Sequence, residues 1–199
     1  MESSFQKLIQ GYQTFREKYA TGDESVMRRL AVHGQQPQVM VVACSDSRVD
    51  PALLLQCEPG ELFMVRNVAN IIPPCAADDA MHGVSAALEF GICHLQVKHL
   101  IILGHSACGG ISALLKQTET RPGSFINRWM SVIDSHEGDD PDDVAKQALH
   151  QSHSNSLTFP WLKERVDAKQ LAIHRWFFNI HDGEIQAYDA NKHTFEPLA

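Results

Sequence analysis

The sequence of 199 residues is short of several features that would fix its class at a glance. No apolar run approaches the ~20 residues of a membrane-spanning helix, so no association with a membrane is expected. No block of Lys or Arg occurs and the formal charge is -7. Nucleic-acid binding through phosphate neutralisation is therefore not expected either. The opening Met1-Glu2-Ser3-Ser4-Phe5-Gln6 has no basic stretch leading into an apolar one. No secretory signal is expected, and the protein is read as cytoplasmic. There is no C-x-x-C pair, no internal repeat and no low-complexity tract. The five cysteines, at 44, 57, 75, 93 and 108, are odd in number and scattered. That argues against a disulfide framework and for a reducing compartment.

What is present is an ordinary composition, 44% hydrophobic and 21% charged, in a chain long enough for one domain with a real core. Residues 1–199 read as that single domain, with 1–34 as a helical arm. In 3–19, Phe5, Leu8, Ile9, Tyr12 and Phe15 fall on one helical face. A second helix spans 24–32 and ends at Gly34. Buried strands are expected at 38–43, 61–66 and 99–103. A short helix or turn is expected at 51–56 and helices at 79–95, 124–135, 141–157 and 159–166, with a loop at 67–78, a turn-rich connection at 117–124 and a solvated acidic linker at 137–140. Strands at 171–180 and 184–189 meet at Asp182-Gly183, a hairpin signal. The alternation predicts an α/β fold: a mainly parallel central sheet with flanking helices, and an antiparallel edge strand at the C-terminal end. Cys57 and Cys93 are expected to pack in apolar surroundings, and Cys75 to sit in a loop.

Two stretches carry the chemistry: Val41-Val42-Ala43-Cys44-Ser45-Asp46-Ser47-Arg48 and Leu103-Gly104-His105-Ser106-Ala107-Cys108-Gly109-Gly110. Each starts as a β-branched or apolar run and breaks into small polar residues with a thiol. Ligand sites of open α/β sheets lie beyond the carboxyl ends of strands. Two such ends side by side would pool Cys44, His105 and Cys108, two soft thiolates and an imidazole, a set that suits one Zn2+ per chain. Three protein ligands leave the fourth tetrahedral position free, as catalytic sites do. Cys108 stands at a helix N-terminus, where backbone N–H groups favour the thiolate. Asp46 and Arg48, two residues apart at a strand end, are placed to pair. A non-catalytic zinc protein and a thiol redox protein are the readings from other classes. Asp46 and Arg48 near the metal weigh against the first, and the lack of C-x-x-C against the second.

C-S-D-S-R after one strand and G-H-S-A-C-G-G after another resemble the β-class carbonic anhydrases. The similarity extends to Glu58-Pro59-Gly60-Glu61-Leu62-Phe63 and Val65-Arg66-Asn67-Val68-Ala69-Asn70, and is tight over roughly residues 35 to 115. It implies reversible hydration of carbon dioxide to bicarbonate and a proton. It also implies zinc on Cys44, His105 and Cys108, and a homodimer or higher even oligomer such as a tetramer, with the arm packed on a partner subunit. Carried over, Asp46 accepts a hydrogen bond from the metal's water while Arg48 latches it. In a closed form Asp46 instead takes the fourth metal position. Phe63, Val68 and Phe90 match pocket positions, Gln35 a glutamine that binds substrate, and Gly109 a residue whose backbone approaches the bound anion. Phe90 stands where plant-type members carry Tyr. Val41 stands where one subgroup has the tryptophan of a non-catalytic bicarbonate site, so no such site is expected and kinship is with the plant-like subgroup. Arg175 stands where relatives often carry glycine, and is expected to stay clear of the metal. Relatives that hydrolyse carbon disulfide or carbonyl sulfide use the same scaffold.

Overall fold

The computed structural model describes residues 3–76, 78, 80–116, 123–136 and 138–198. Six strands form one sheet among them: β1 (Val39–Cys44), β2 (Leu62–Asn67), β3 (His99–His105), β4 (Ala172–Asn179), β5 (Glu184–Asp189) and β6 (Thr194–Pro197). The order is β2-β1-β3-β4-β5-β6. The first four strands run parallel, and β5 and β6 add an antiparallel end. The parallel strands are short apolar runs because helices or loops cover them on both faces.

The expected arm is present. Helix α1 (Ser4–Tyr19) starts with a capping box between Ser3 and Gln6. Helix α2 (Val26–His33) ends at Gly34, whose φ of 75° glycine adopts without penalty. The short α3 (Pro51–Leu54) is opened by Asp50, whose side chain accepts the Leu53 N–H. Helices α4 (Gly83–Glu89), α5 (Gly109–Leu115), α6 (Phe125–Met130), α7 (Pro141–Ser156) and α8 (Pro160–Asp167) complete the chain.

The helices cover the two faces unequally. One face carries the main core, where Met40, Val42, Leu100 and Ile102 pack on Leu88, Ile92, Ile111, Leu149 and Leu162. The other is thinner, with Val41, Ala43, Ile101 and Leu103 covered by Val49, Phe178 and Leu54. The main core includes Cys44 and Cys108, two of the three expected metal ligands.

Several expectations change. The helix expected over 79–95 begins at Gly83 and passes into a wide π turn over Phe90–His94; Asp79 lies outside the described residues. Gly91 sits in that turn, where an added Cβ would stand 2.7 Å from Met40 Sδ and 3.2 Å from the Phe63 ring. Only a glycine lets the turn lie so close to the sheet. Cys93 is exposed rather than packed, because Ile92 takes the inward position and the next residue points about 100° away. The helix expected at 124–135 stops at Met130. Strand β6 was not foreseen. Of the connection expected at 117–124, residues 117–122 lie outside the described residues, as does Glu137 of the acidic linker.

Candidate metal centre

The chain leaves β1 towards β2 on one side and returns to β3 on the other. The carboxyl ends of β1 and β3 thus form the switch point of the sheet, where open α/β folds place their ligands. Cys44 is the last residue of β1, His105 the last of β3, and Cys108 the N-cap of α5. Their ligand atoms lie within 4.8 Å of one another and all three residues are buried. No other group of this kind occurs among the described residues.

The donor set fits a soft divalent cation. His105 Nδ1 lies 2.9 Å from the Ser106 carbonyl oxygen. A carbonyl accepts only from an N–H, so the proton sits on Nδ1 and Nε2 keeps a free lone pair. That Nε2 is buried and has no hydrogen-bond partner among the described residues. Beside it the two thiols interact strongly. The hydrogen bond from Cys108 draws the Cys44 thiol far below its usual range, and the same bond pushes Cys108 up. Backbone N–H groups of Gly110 and Ile111 do favour the Cys108 thiolate, as its helix position predicts, but the hydrogen bond to Cys44 and burial outweigh them. Both thiols could ionise this close together only with a cation between them.

The surrounding loops are braced from several sides. Arg66 on β2 donates to the carbonyls of Cys44 (3.0 Å), Asp46 (2.7 Å) and Val49 (3.0 Å), and pairs with Asp50 at 2.9 Å. One guanidinium thereby holds the whole turn after β1. Asn67 clamps the next loop, accepting from Ile71 N–H at 2.8 Å and donating to its carbonyl at 2.9 Å. The loop between them places Ala69, at φ 61°, with its N–H 3.4 Å from Cys44 Sγ. Neither Arg66 nor Asn67 was singled out from the sequence, although both lie in the quoted V-R-N-V-A-N stretch.

Asp46 and Arg48 pair, but not as consecutive same-side residues of an extended strand. The chain turns at Asp46, whose carbonyl accepts from Val49 N–H at 3.1 Å and whose Oδ1 accepts from Arg48 N–H at 2.9 Å. This Asx turn folds Arg48 back, so that Nε donates to Oδ1 (2.9 Å) and Nη2 to Oδ2 (2.8 Å). Asp46 Oδ2 lies 4.0 Å from His105 Nε2. The Arg48 hydrogen bonds hold the Asp46 carboxyl well below the usual carboxylate range.

Ala107, between two of the ligands, has φ 53°. For a residue with a Cβ this costs of order 1–2 kcal/mol. Its N–H donates to Asp142 Oδ1 at 2.8 Å, and its carbonyl accepts from Arg48 Nη2 at 3.0 Å. Asp142 belongs to the first turn of α7, and no local motif in the sequence pointed to it. Of the residues expected in the pocket, Val68 and Gly109 lie beside this group, Gly109 directly after Cys108. Val68 precedes Ala69, its carbonyl accepts from Trp129 Nε1 at 2.8 Å, and its Cγ1 would be 2.6 Å from a Cβ on Gly110. Nothing would crowd a Cβ on Gly109.

Gln35, Phe63 and Phe90 are not brought to this metal group within one chain. Gln35 lies ahead of β1, and the ~3.3 Å rise per residue puts about 20 Å of chain between Gln38 and Cys44. Phe63 pairs with Met40 while Cys44 pairs with Asn67. Phe90 packs on Phe63 with ring centroids 5.7 Å apart. These three belong to the opposite end of the sheet. Arg175 stays clear of the metal as expected, bonding His150 Nδ1 at 2.7 Å and stacking 3.9 Å over the Tyr188 ring.

Comparison with known proteins agrees with this geometry. A family model described as carbonic anhydrase matches residues 39–185. A carbonic anhydrase of Synechocystis sp. is 36% identical, over 96% of this chain and 73% of its own length. The solved structure of the β-carbonic anhydrase CcaA superposes with a TM-score of 0.86 at 36% identity, covering 98% of this chain and all of the other. A tetrameric β-carbonic anhydrase of Sordaria macrospora superposes at 0.78 with 26% identity, over 94% of this chain and 97% of its own. The chain belongs to the carbonic anhydrase family, in its β class. It is a zinc enzyme, and Cys44, His105 and Cys108 form the group suited to the metal.

Proposed function

We propose that this chain hydrates carbon dioxide reversibly at a zinc held by Cys44, His105 and Cys108, with Asp46 as orienting acceptor and Arg48 as its latch. The observation that carries this is the Asp46 carboxylate, gripped through both oxygens by Arg48 and 4.0 Å from the metal-facing nitrogen of His105. A structural zinc site has no use for such a pair. Zinc bound there supplies a water acidic enough to serve as nucleophile near neutral pH.

The chain's own residues do the rest. Asp46 stays ionised because Arg48 holds its carboxyl low, so it accepts a hydrogen bond from the reacting water and never donates one. Accepting that hydrogen bond would orient the water towards the carbon of the substrate. For Asp46 to become a fourth ligand, the bonds from Arg48 Nε and Nη2 would have to break. The pairing therefore favours the open arrangement. Val68 gives the carbon dioxide an apolar wall, and Gly109 leaves room for bicarbonate beside Cys108. A small apolar substrate asks for little more.

The remaining pocket residues point to a partner subunit. Gln35 ahead of β1 and the Phe63–Phe90 ring pair lie towards the far end of the sheet, so they can serve a metal centre only across an interface between copies. Among the described residues nothing covers the apolar stripe of α1, with Phe5 and Leu8 both 71% exposed. A homodimer or a tetramer built from it satisfies both observations, with residues 1–34 as the exchanged arm of a single domain. All five cysteines are free, which fits a cytoplasmic protein.

The test is carbon dioxide hydration by Asp46→Ala at equal zinc content. A loss of about a hundredfold or more in kcat/KM is expected, the scale set by removing one preorganised hydrogen-bonding group. Full activity in that variant would remove Asp46 from the mechanism.

A further inference from the structure

We propose that Asp142, on α7, is a positioning residue of the metal centre, acting through the peptide of Ala107; this rests on the zinc reading above. Ala107 occupies a left-handed conformation, φ 53°, between His105 and Cys108. Such a conformation in a residue with a Cβ persists only where its surroundings fix it. Here the peptide is held at both ends. Asp142 Oδ1 accepts its N–H at 2.8 Å, and its carbonyl takes Arg48 Nη2 at 3.0 Å. The same Nη2 donates to Asp46 Oδ2 at 2.8 Å. One chain of contacts thus runs from Asp142 through Ala107 to Arg48 and on to Asp46, passing the backbone that aims Cys108.

Asp142 is itself well fixed. The Asp140 side chain accepts its N–H at 2.9 Å and that of Asp143 at 3.1 Å, capping α7. Helix α7 is anchored in the main core through Val144, Ala145, Ala148 and Leu149. The loop carrying Cys108 is therefore tied by one carboxylate to a helix seated in the main core. Without that acceptor the Ala107 peptide is free to leave its strained conformation. Cys108 then loses its aim and Arg48 loses one of its acceptors.

Zinc retention separates this role from helix stabilisation. Asp142 lies in the first turn of α7, so Asp142→Ala and Asp142→Asn remove the same helix-end charge. Only Asp142→Asn keeps an oxygen for the Ala107 N–H. In zinc-loaded protein challenged with a chelator, D142A is expected to release zinc about tenfold faster than wild type, the scale set by groups that orient metal ligands. D142N is expected to stay within about twofold of wild type, since its Oδ1 still accepts. Wild-type retention in D142A, or equal losses in both variants, would overturn the role.

Ala107→Gly supplies a second test, because glycine takes positive φ freely. The zinc loss caused by D142A is expected to shrink in the A107G background. An undiminished loss there would show that Asp142 does not act through Ala107. Wild-type protein that takes up no zinc would overturn the metal centre itself along with this role, whereas zinc-loaded wild type with an indifferent D142A overturns this role alone.

Discussion

At the residue scale, the metal ligands and the Asp46–Arg48 pair follow from local chemistry, and the sequence displays them. Cys44 and His105 end apolar runs, and Cys108 precedes a pair of glycines. The manner of the Asp46–Arg48 contact was not visible, because an Asx turn and an extended strand end both bring residues i and i+2 to one side. Asp142 was invisible for a different reason, since its partner lies 35 residues away in the chain. A separate residue governs acid stability. Burial lowers the His153 pKa from 6.5 to about 4, helped by the charges of Arg175 and His150. The unfolded chain therefore binds a proton that the folded one resists. This contribution is intact above the unfolded pKa and is lost as pH falls through the window from 6.5 to about 4. Urea midpoints of wild type should drop more between about pH 7 and about pH 5 than those of His153→Gln, which cannot titrate. Parallel profiles in the two proteins would contradict this.

At the element scale, helix α1 stands apart. It has a capped start and an apolar stripe, and none of its residues is buried. Its ties to the domain are slight: a Lys18–Glu58 ion pair at 3.2 Å, with Leu30 of α2 resting on Gly60 beyond it. Burying one large apolar side chain is worth about 1.5–3 kcal/mol, so five on one stripe are a strong drive to associate. Leu8→Glu with Phe15→Glu should lower the mass seen by sedimentation equilibrium to that of one chain, while wild type runs as a dimer or tetramer. A wild type already at one chain, or a variant of unchanged mass, would contradict this. Other elements were less legible. The π turn at Phe90–His94 answers to close approach at Gly91, a distance between elements that no spacing of apolar residues reveals. Strand β6 is four residues long and ends in Pro197, which a sheet tolerates only at its edge. It carries no alternation long enough to read.

At the scale of the whole molecule, alternating strands and helices were enough to indicate a mainly parallel sheet with an antiparallel end. They could not indicate that β1 and β3 are neighbours with the switch point between them, which is a property of strand order. The candidate site divides the same way. Cys44, Asp46, Arg48, Val68, His105, Cys108 and Gly109 gather at one end of the sheet, and Gln35, Phe63 and Phe90 at the other. Motifs give residue types in order, and only the strand direction shows which end each occupies. Stopped-flow hydration of carbon dioxide, on protein of measured zinc content from about pH 6.5 to about pH 9, brackets the ionisation of a zinc water. Activity should scale with zinc up to one per chain, vanish when the metal is stripped, and rise with pH. Fully zinc-loaded protein inactive across that whole range would contradict the assignment of this centre to carbon dioxide hydration.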